Sequence, residues 1–329
     1  MRRLLLCLLL ALAPGLAATE ASAQGIAFIL NSAAASISVI DMGALKEVRR
    51  IPVLREPHHL VLSPDRKSLM IGDTVGNEML FLDPDTGAIQ KRIPMSDPYQ
   101  FAFSPDTKFF VAAALARNQI DVYDGPTLKL LKRFQVVKTP SHLDYSPDSG
   151  TVYVSLQDSD KTIAIDLKTL AVKWTMPVGK TPAGVIWHDG HVLVANMGAD
   201  YVSRLRPSDG KEIERIVTGK GAHTVFRSPL TKVLWVNNRA GGTTVSLDPA
   251  TLKVTRTYKV TGGPDDIDFT PDGKLWITRR WAEKVAVLDP ETGSIQDIKV
   301  GRSPHGLWLN AKAPAPTAVA PPPAALAPR

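Results

Sequence analysis

Seven times along the chain, a Pro or Gly in a short loop runs directly into an apolar segment. The anchors are Pro57, Pro98, Pro140, Pro182, Gly221, Pro264 and Pro304, spaced 39 to 43 residues apart. A period of this length kept over seven units points to a solenoid or a closed ring, because one such unit cannot bury its apolar face alone. The repeat also removes the inference of two domains that a chain of 329 residues would otherwise invite.

Four short strands are readable in each unit. The strand after the anchor ends in a turn such as Ser63-Pro64-Asp65, Ser104-Pro105-Asp106, Ser146-Pro147-Asp148 or Thr270-Pro271-Asp272-Gly273. Pro presets φ there and Asp bonds its own backbone. A second strand follows, for example Val152-Tyr153-Val154 or Leu234-Trp235-Val236. The third, such as Ser36 to Asp41 or Thr162 to Asp166, alternates with period two and ends in Asp41, Asp83, Asp124, Asp166, Asp248 or Asp289, with Arg206 as the exception. These Asp residues are read as turn caps, not metal ligands. The tryptophans Trp187, Trp235, Trp276 and Trp308 lie in strands and are expected to pack between repeats.

Four antiparallel strands per repeat describe the blade of an all-β propeller with seven blades. The ends agree with ring closure. Residues Ala27 to Asn31, Ser36 to Asp41 and Lys46 to Val53 lack a preceding inner strand, whereas His305 to Asn310 is an inner strand with nothing after it. The N-terminal strands are therefore expected to pair with the C-terminal inner strand and complete the seventh blade, leaving no open edge.

The propeller is placed at residues 24–310. Before it, Met1-Arg2-Arg3, an apolar run from Leu4 to Leu16 and the small residues Ala21-Ser22-Ala23 read as a signal peptide cleaved near Ala23. The run is too short to span a bilayer, and no later stretch is a candidate, so a periplasmic or secreted chain is expected. Cys7, the single cysteine, falls inside the signal, which leaves the exported chain without thiol chemistry. Residues 311–329 are rich in Ala and Pro and read as a disordered tail. Net charge is +7, and about +6 without Arg2, Arg3 and Glu20. No run of basic residues interleaved with aromatics is present, so nucleic acid is not the expected partner. A small anionic ligand or a periplasmic protein is, for a chain expected to be a monomer.

The blade pattern resembles the YVTN-repeat, or YncE-like, propellers. The residues that carry the likeness are Val194-Ala195-Asn196, Trp235-Val236-Asn237-Asn238, Ser38-Val39-Ile40-Asp41, Pro177-Val178-Gly179-Lys180-Thr181-Pro182 and Val300-Gly301-Arg302-Ser303-Pro304. The likeness covers about residues 26 to 310 and implies the fold and export. Members include periplasmic proteins of ill-defined binding role. Similar blades form the haem-binding propeller of cytochrome-type nitrite reductases, and some YncE-like proteins bind single-stranded DNA. The chain departs from the family at the second residue after the anchor, typically Gly. Here it is His59, Gln100, His142 and Asp266, and His223 holds the same place after Gly221.

Five of the seven histidines, His58, His59, His142, His223 and His305, fall in the two positions after an anchor. All seven anchor loops open on one face of a propeller. These imidazoles are thus expected to ring the channel mouth with Tyr99, Gln100, Asp265 and Asp266. The loops between second and third strands emerge on the same face and bring Arg117, Lys161, Asp200, Tyr201, Arg239, Arg279, Arg280 and Trp281. Imidazoles suit a metal ion or haem iron, and arginine forks suit carboxylates or phosphates. His58, His59 and His305 come from neighbouring blades and form the expected metal set. His142 and His223 are separated by the blade that carries Gly184. Asp265 and Asp266 are adjacent in a strand, which predicts opposite faces and no carboxylate dyad. Polar channel mouths also arise simply to hold water. No nucleophile elbow, zinc-protease motif, phosphate loop or haem-attachment CxxCH occurs, which leaves four readings: a binding or scaffolding propeller, a handler of metal or tetrapyrrole, a lyase or lactonase using a ring His as base, and a single-stranded DNA binder.

Overall fold

The computed structural model describes residues 25–312. The signal read at residues 1–23 and all but the start of the Ala/Pro-rich stretch lie outside the described residues.

The chain forms seven four-stranded antiparallel sheets. The inner strands are Pro57–Leu62, Gln100–Phe103, Pro140–Tyr145, Pro182–His188, Ala222–Arg227, Pro264–Phe269 and Pro304–Asn310. Each touches its two neighbours around the channel. The closing blade is assembled from both ends, with Pro304–Asn310 antiparallel to Ile26–Asn31, in register from Ile26 opposite Asn310 to Ile29 opposite Leu307. No sheet edge is left to open the ring.

The core consists of seven apolar clusters among the described residues, each shared by two adjacent blades. The closing blade shows how one strand serves two of them. Ile26, Phe28 and Leu30 face the blade that begins at Pro57. Ala27 and Ile29 face the blade that begins at Pro264. Successive side chains of a strand point to opposite faces, so a strand between two neighbours must be apolar throughout. Second and third strands such as Ile26–Asn31 and Glu78–Leu82 are accordingly buried at every position. Fourth strands such as Ile89–Pro94 form the wet rim.

The strand-end aspartates cap turns. Asp83 Oδ1 accepts the N–H groups of Asp85 and Thr86, Asp166 those of Lys168 and Thr169, and Asp289 those of Glu291 and Thr292. The tryptophans pack as expected: Trp187 stacks on Tyr153 and Trp308 on Phe28. A second repeated tie fixes the anchor loops. Asn31 Oδ1 accepts the Gly301 N–H at 3.0 Å, and Asp73 accepts the N–H groups of Arg55 and Glu56 at 2.8 Å.

One local irregularity positions everything at the channel. In six of the seven blades the inner strand carries an extra residue just after its anchor, as between Pro57 and Leu60 or Pro264 and Ile267. Such a bulge breaks the two-residue alternation and re-aims side chains. Consecutive residues such as His58 and His59 therefore both turn into the channel.

Candidate functional site

The five anchor histidines converge into one contact set. Ring centroids are 3.8 Å apart for His58 and His305, 4.6 Å for His59 and His305, 5.1 Å for His59 and His142, and 5.5 Å for His142 and His223. The blade between His142 and His223 does not keep them apart. Its residue at that position is Gly184, where an added Cβ would lie 2.7 Å from Thr224 Cα. The missing side chain lets its two neighbours meet above it. Tyr99 completes the set, its ring 4.0 Å from that of His58.

All five imidazoles are buried, His305 completely. They form a plug beneath the mouth. Below it the channel continues as a cavity of about 230 Å³, bounded by His59, His142 and Asp266 at the plug and walled by Leu60, Val225 and Leu307. Gln100 spends its side-chain oxygen on the Leu143 N–H at 3.0 Å, tying two inner strands together.

Burial governs the charge state. It is the largest effect on every ring and pushes His59 down to about 3 and His223 to about 4. His58, His142 and His305 are pushed well below the usual histidine range by burial, aided by the neighbouring imidazoles. Burial, partly offset by the charges of Arg280 and Arg239, raises Tyr99 to about 12. The plug is therefore a set of neutral nitrogen ligands beside a neutral phenol.

One carboxylate carries the negative charge. Burial opposes ionisation of Asp265, but Arg239, His305 and His223 outweigh it and hold its carboxyl well below the ordinary range. His223 Nδ1 lies 2.8 Å from Asp265 Oδ1, Arg239 pairs with the same oxygen, and Arg280 Nη1 reaches Oδ2 at 3.3 Å. Asp266 behaves oppositely: burial and then the charge of Asp265 raise it to about 8. The expectation of opposite faces for the two carboxylates is corrected here. The bulge after Pro264 turns both toward His305, whose Nε2 is 3.6 Å from Asp265 and Nδ1 3.6 Å from Asp266.

Four ring nitrogens in the plug have no hydrogen-bond partner: His59 Nε2, His142 Nε2 and both nitrogens of His305. A buried polar atom without a partner costs about 1–3 kcal/mol, so these nitrogens call for a ligand or an ordered water. One ligand atom from each of His58, His59 and His305 lies within 4.8 Å of the others. Two nitrogens on one ion stand at most about 4.2 Å apart, given metal–nitrogen bonds near 2.1 Å. Sharing one ion therefore requires the rings to draw closer together.

The remaining sequence candidates divide. Arg239 and Arg280 reach the cluster through Asp265. Arg279 turns outward to Asp297, Arg117 to the Asn77 side chain at 3.1 Å, and Trp281 stands exposed over Gly263. Sequence reading missed Ser141, whose hydroxyl is 2.7 Å from His142 Nδ1. It also missed Arg55 and Arg302, which line a second cavity at the mouth. Both lie in anchor loops, the same signal that found the histidines.

Among the described residues no helix is long and apolar enough to cross a membrane. Antigen Lp49 of Leptospira interrogans is 25% identical over 211 residues, 57% of this chain and 46% of that protein. The chain thus spans less than half the length of that relative. Among solved structures, the dihydro-haem d1 dehydrogenase NirN superposes with a TM-score of 0.66 at 15% identity, over 90% of this chain and 77% of that one. The hydrazine synthase of Kuenenia stuttgartiensis gives 0.62 at 19%, over 76% and 88%. At such identities these likenesses show the fold alone. The model of YncE-like β-propellers matches residues 5–315, and the chain belongs to that family.

Proposed function

We propose that this is an exported ligand-binding propeller whose ligand is a first-row transition-metal ion, held by His58, His59 and His305 beneath the channel mouth. The observation that carries this reading is the grouping of His58, His59 and His305, buried and neutral, with unpartnered nitrogens on His59 and His305. Neutral nitrogen donors of this softness suit Cu(II) or Zn(II) over Mg or Ca. The ionised Asp265, 3.6 Å from His305 Nε2, favours a positive charge beside that ring. A bound ion would supply a Lewis-acidic centre at the base of the mouth. Asp265 would offset part of its charge.

A tetrapyrrole, the ligand class in the name of the dihydro-haem d1 dehydrogenase NirN, is the second reading. The burial of the rings argues against it, since a flat macrocycle needs an axial ligand it can approach.

The test is elemental analysis with a visible spectrum on the exported chain, beside His305→Ala and a His58→Ala/His59→Ala double variant. Stoichiometric copper or zinc lost in both variants supports the assignment. A metal-free wild type that also fails to take up either ion in dialysis overturns it.

A further inference from the structure

Outside the histidine plug the mouth contains a second cavity, of about 550 Å³, over the closing blade. Its floor is the turn Ser32-Ala33-Ala34-Ala35, which joins the second and third strands of that blade. The corresponding turns elsewhere carry bulkier groups, such as Arg117, Asp158 or Trp281. Three alanines in a row leave space open above this turn.

Three arginines stand around this floor, each from a different blade. Arg280 comes from the preceding blade, Arg302 from the loop that enters the closing inner strand, and Arg55 from the anchor loop of the next blade. Arg280 is engaged by Asp265 at 3.3 Å. Arg55 and Arg302 have no side-chain hydrogen bond or ion pair among the described residues, unlike Arg279, Arg239 and Arg133, which are all paired. With Arg280 balanced by Asp265, Arg55 and Arg302 face one carboxylate, Glu56, so the lining keeps an excess of positive charge. The floor itself is fixed: the Ser32 N–H bonds Ser303 O at 3.1 Å, and the Ser32 hydroxyl bonds Pro57 O at 2.8 Å.

We infer that this cavity binds a small, multiply charged oxyanion, a polycarboxylate or a phosphorylated metabolite, with Arg55 and Arg302 gripping it and the alanine turn giving it room. Planar guanidiniums match carboxylate and phosphate oxygens two at a time, which Lys would not do. A volume of this size holds a small organic anion and lies within the range of ordinary ligand pockets. Arg280 belongs to both the cavity and the network around Asp265. An anion drawn onto Arg280 weakens its hold on Asp265, which couples the cavity to the histidine plug through one side chain.

Calorimetry on the exported chain tests this with two probes, citrate and inorganic pyrophosphate, each titrated with a metal chelator present. At least one probe is expected to bind, and which one does separates a carboxylate ligand from a phosphoryl ligand. Arg55→Ala and Arg302→Ala are each expected to weaken it about tenfold, the loss of one charge-assisted contact. Ala34→Phe fills the space without changing charge and is expected to abolish binding while leaving the thermal transition in place. His305→Ala is expected to keep binding. Failure of both probes at millimolar concentration, indifference to the arginine and Ala34 variants, or loss of binding in His305→Ala each overturns the assignment. None of these readings depends on whether the plug holds a metal.

Discussion

His223 and Asp265 meet across the boundary between two blades, with Nδ1 2.8 Å from Oδ1. The carboxylate has no exposed surface and also takes Arg239, Arg280 and, at 3.6 Å, His305. A single buried charge thus holds side chains from three successive blades. Removing it leaves Arg239 without its counter-charge in a dry site. Asp265→Asn is expected to cost about 3–5 kcal/mol, the usual penalty for breaking one side of a buried pair. Adding Arg239→Gln should recover part of that loss. Denaturant unfolding of the two single variants and the double variant measures the coupling, and strict additivity would remove Asp265 as the organiser.

Two further carboxylates, both half-buried, tie inner strands together. Asp144 accepts the Trp187 N–H at 2.6 Å, and Asp268 the Leu309 N–H at 2.8 Å. Burial outweighs these bonds and raises both groups from 3.8 to about 6. Between pH 4 and 6 the folded chain keeps protons that the unfolded chain has released, so these groups favour folding at low pH. The contribution falls as pH rises and is lost above about 6. Linkage sets an upper size of roughly 3 kcal/mol for each. An Asn keeps the acceptor and never ionises. The stability of Asp144→Asn/Asp268→Asn relative to wild type is expected to improve between pH 4.5 and pH 7. A difference that stays constant across that range counts against the assignment.

Gly184 lies where five other blades carry His59, Gln100, His142, His223 and Asp266, and its backbone touches the next blade. An added Cβ would approach Thr224 Cα to 2.7 Å and His223 O to 2.9 Å, both backbone atoms. Gly184→Ala is expected to cost about 1–3 kcal/mol through overpacking. It should also part the His142 and His223 rings. A thermal melt reads the first effect and NMR shifts of the two imidazoles the second.

Ring closure rests on the pairing of the two chain ends, sealed by Phe28, fully buried and stacked on Trp308 at 6.1 Å. Phe28→Ala is expected to cost about 3–5 kcal/mol. Ending the chain before Pro304 removes the inner strand altogether and exposes Ile26–Asn31 as an apolar edge, so loss of the cooperative transition and aggregation are expected. A truncated chain that melts like wild type would show the closure to be dispensable.

Metal binding is open to a mass-action test separate from elemental analysis. An ion that binds the folded chain alone raises the melting temperature in proportion to the logarithm of its concentration. Copper or zinc should therefore stabilise wild type and leave His305→Ala unchanged, and a chelator should reverse the gain.

The sequence by itself determined the architecture. Anchors at a near-constant period, turn chemistry at fixed offsets and half-blades at both ends allow only a closed ring of seven sheets, because each of these is a local or periodic property. It also marked the anchor loops as the place where histidines gather. What it could not decide is where those side chains point. Strict alternation predicts that Asp265 and Asp266 part, and the bulge after the anchor cancels that rule. Separation along the chain predicts that His142 and His223 stay apart, and the missing Cβ of Gly184 brings them to 5.5 Å. Nor does composition show that the imidazoles are buried and neutral or that Arg279 turns outward while Arg280 turns in. Those outcomes depend on the radius of the ring and the packing of seven inner strands against one another, distances that exist only once the ring has closed.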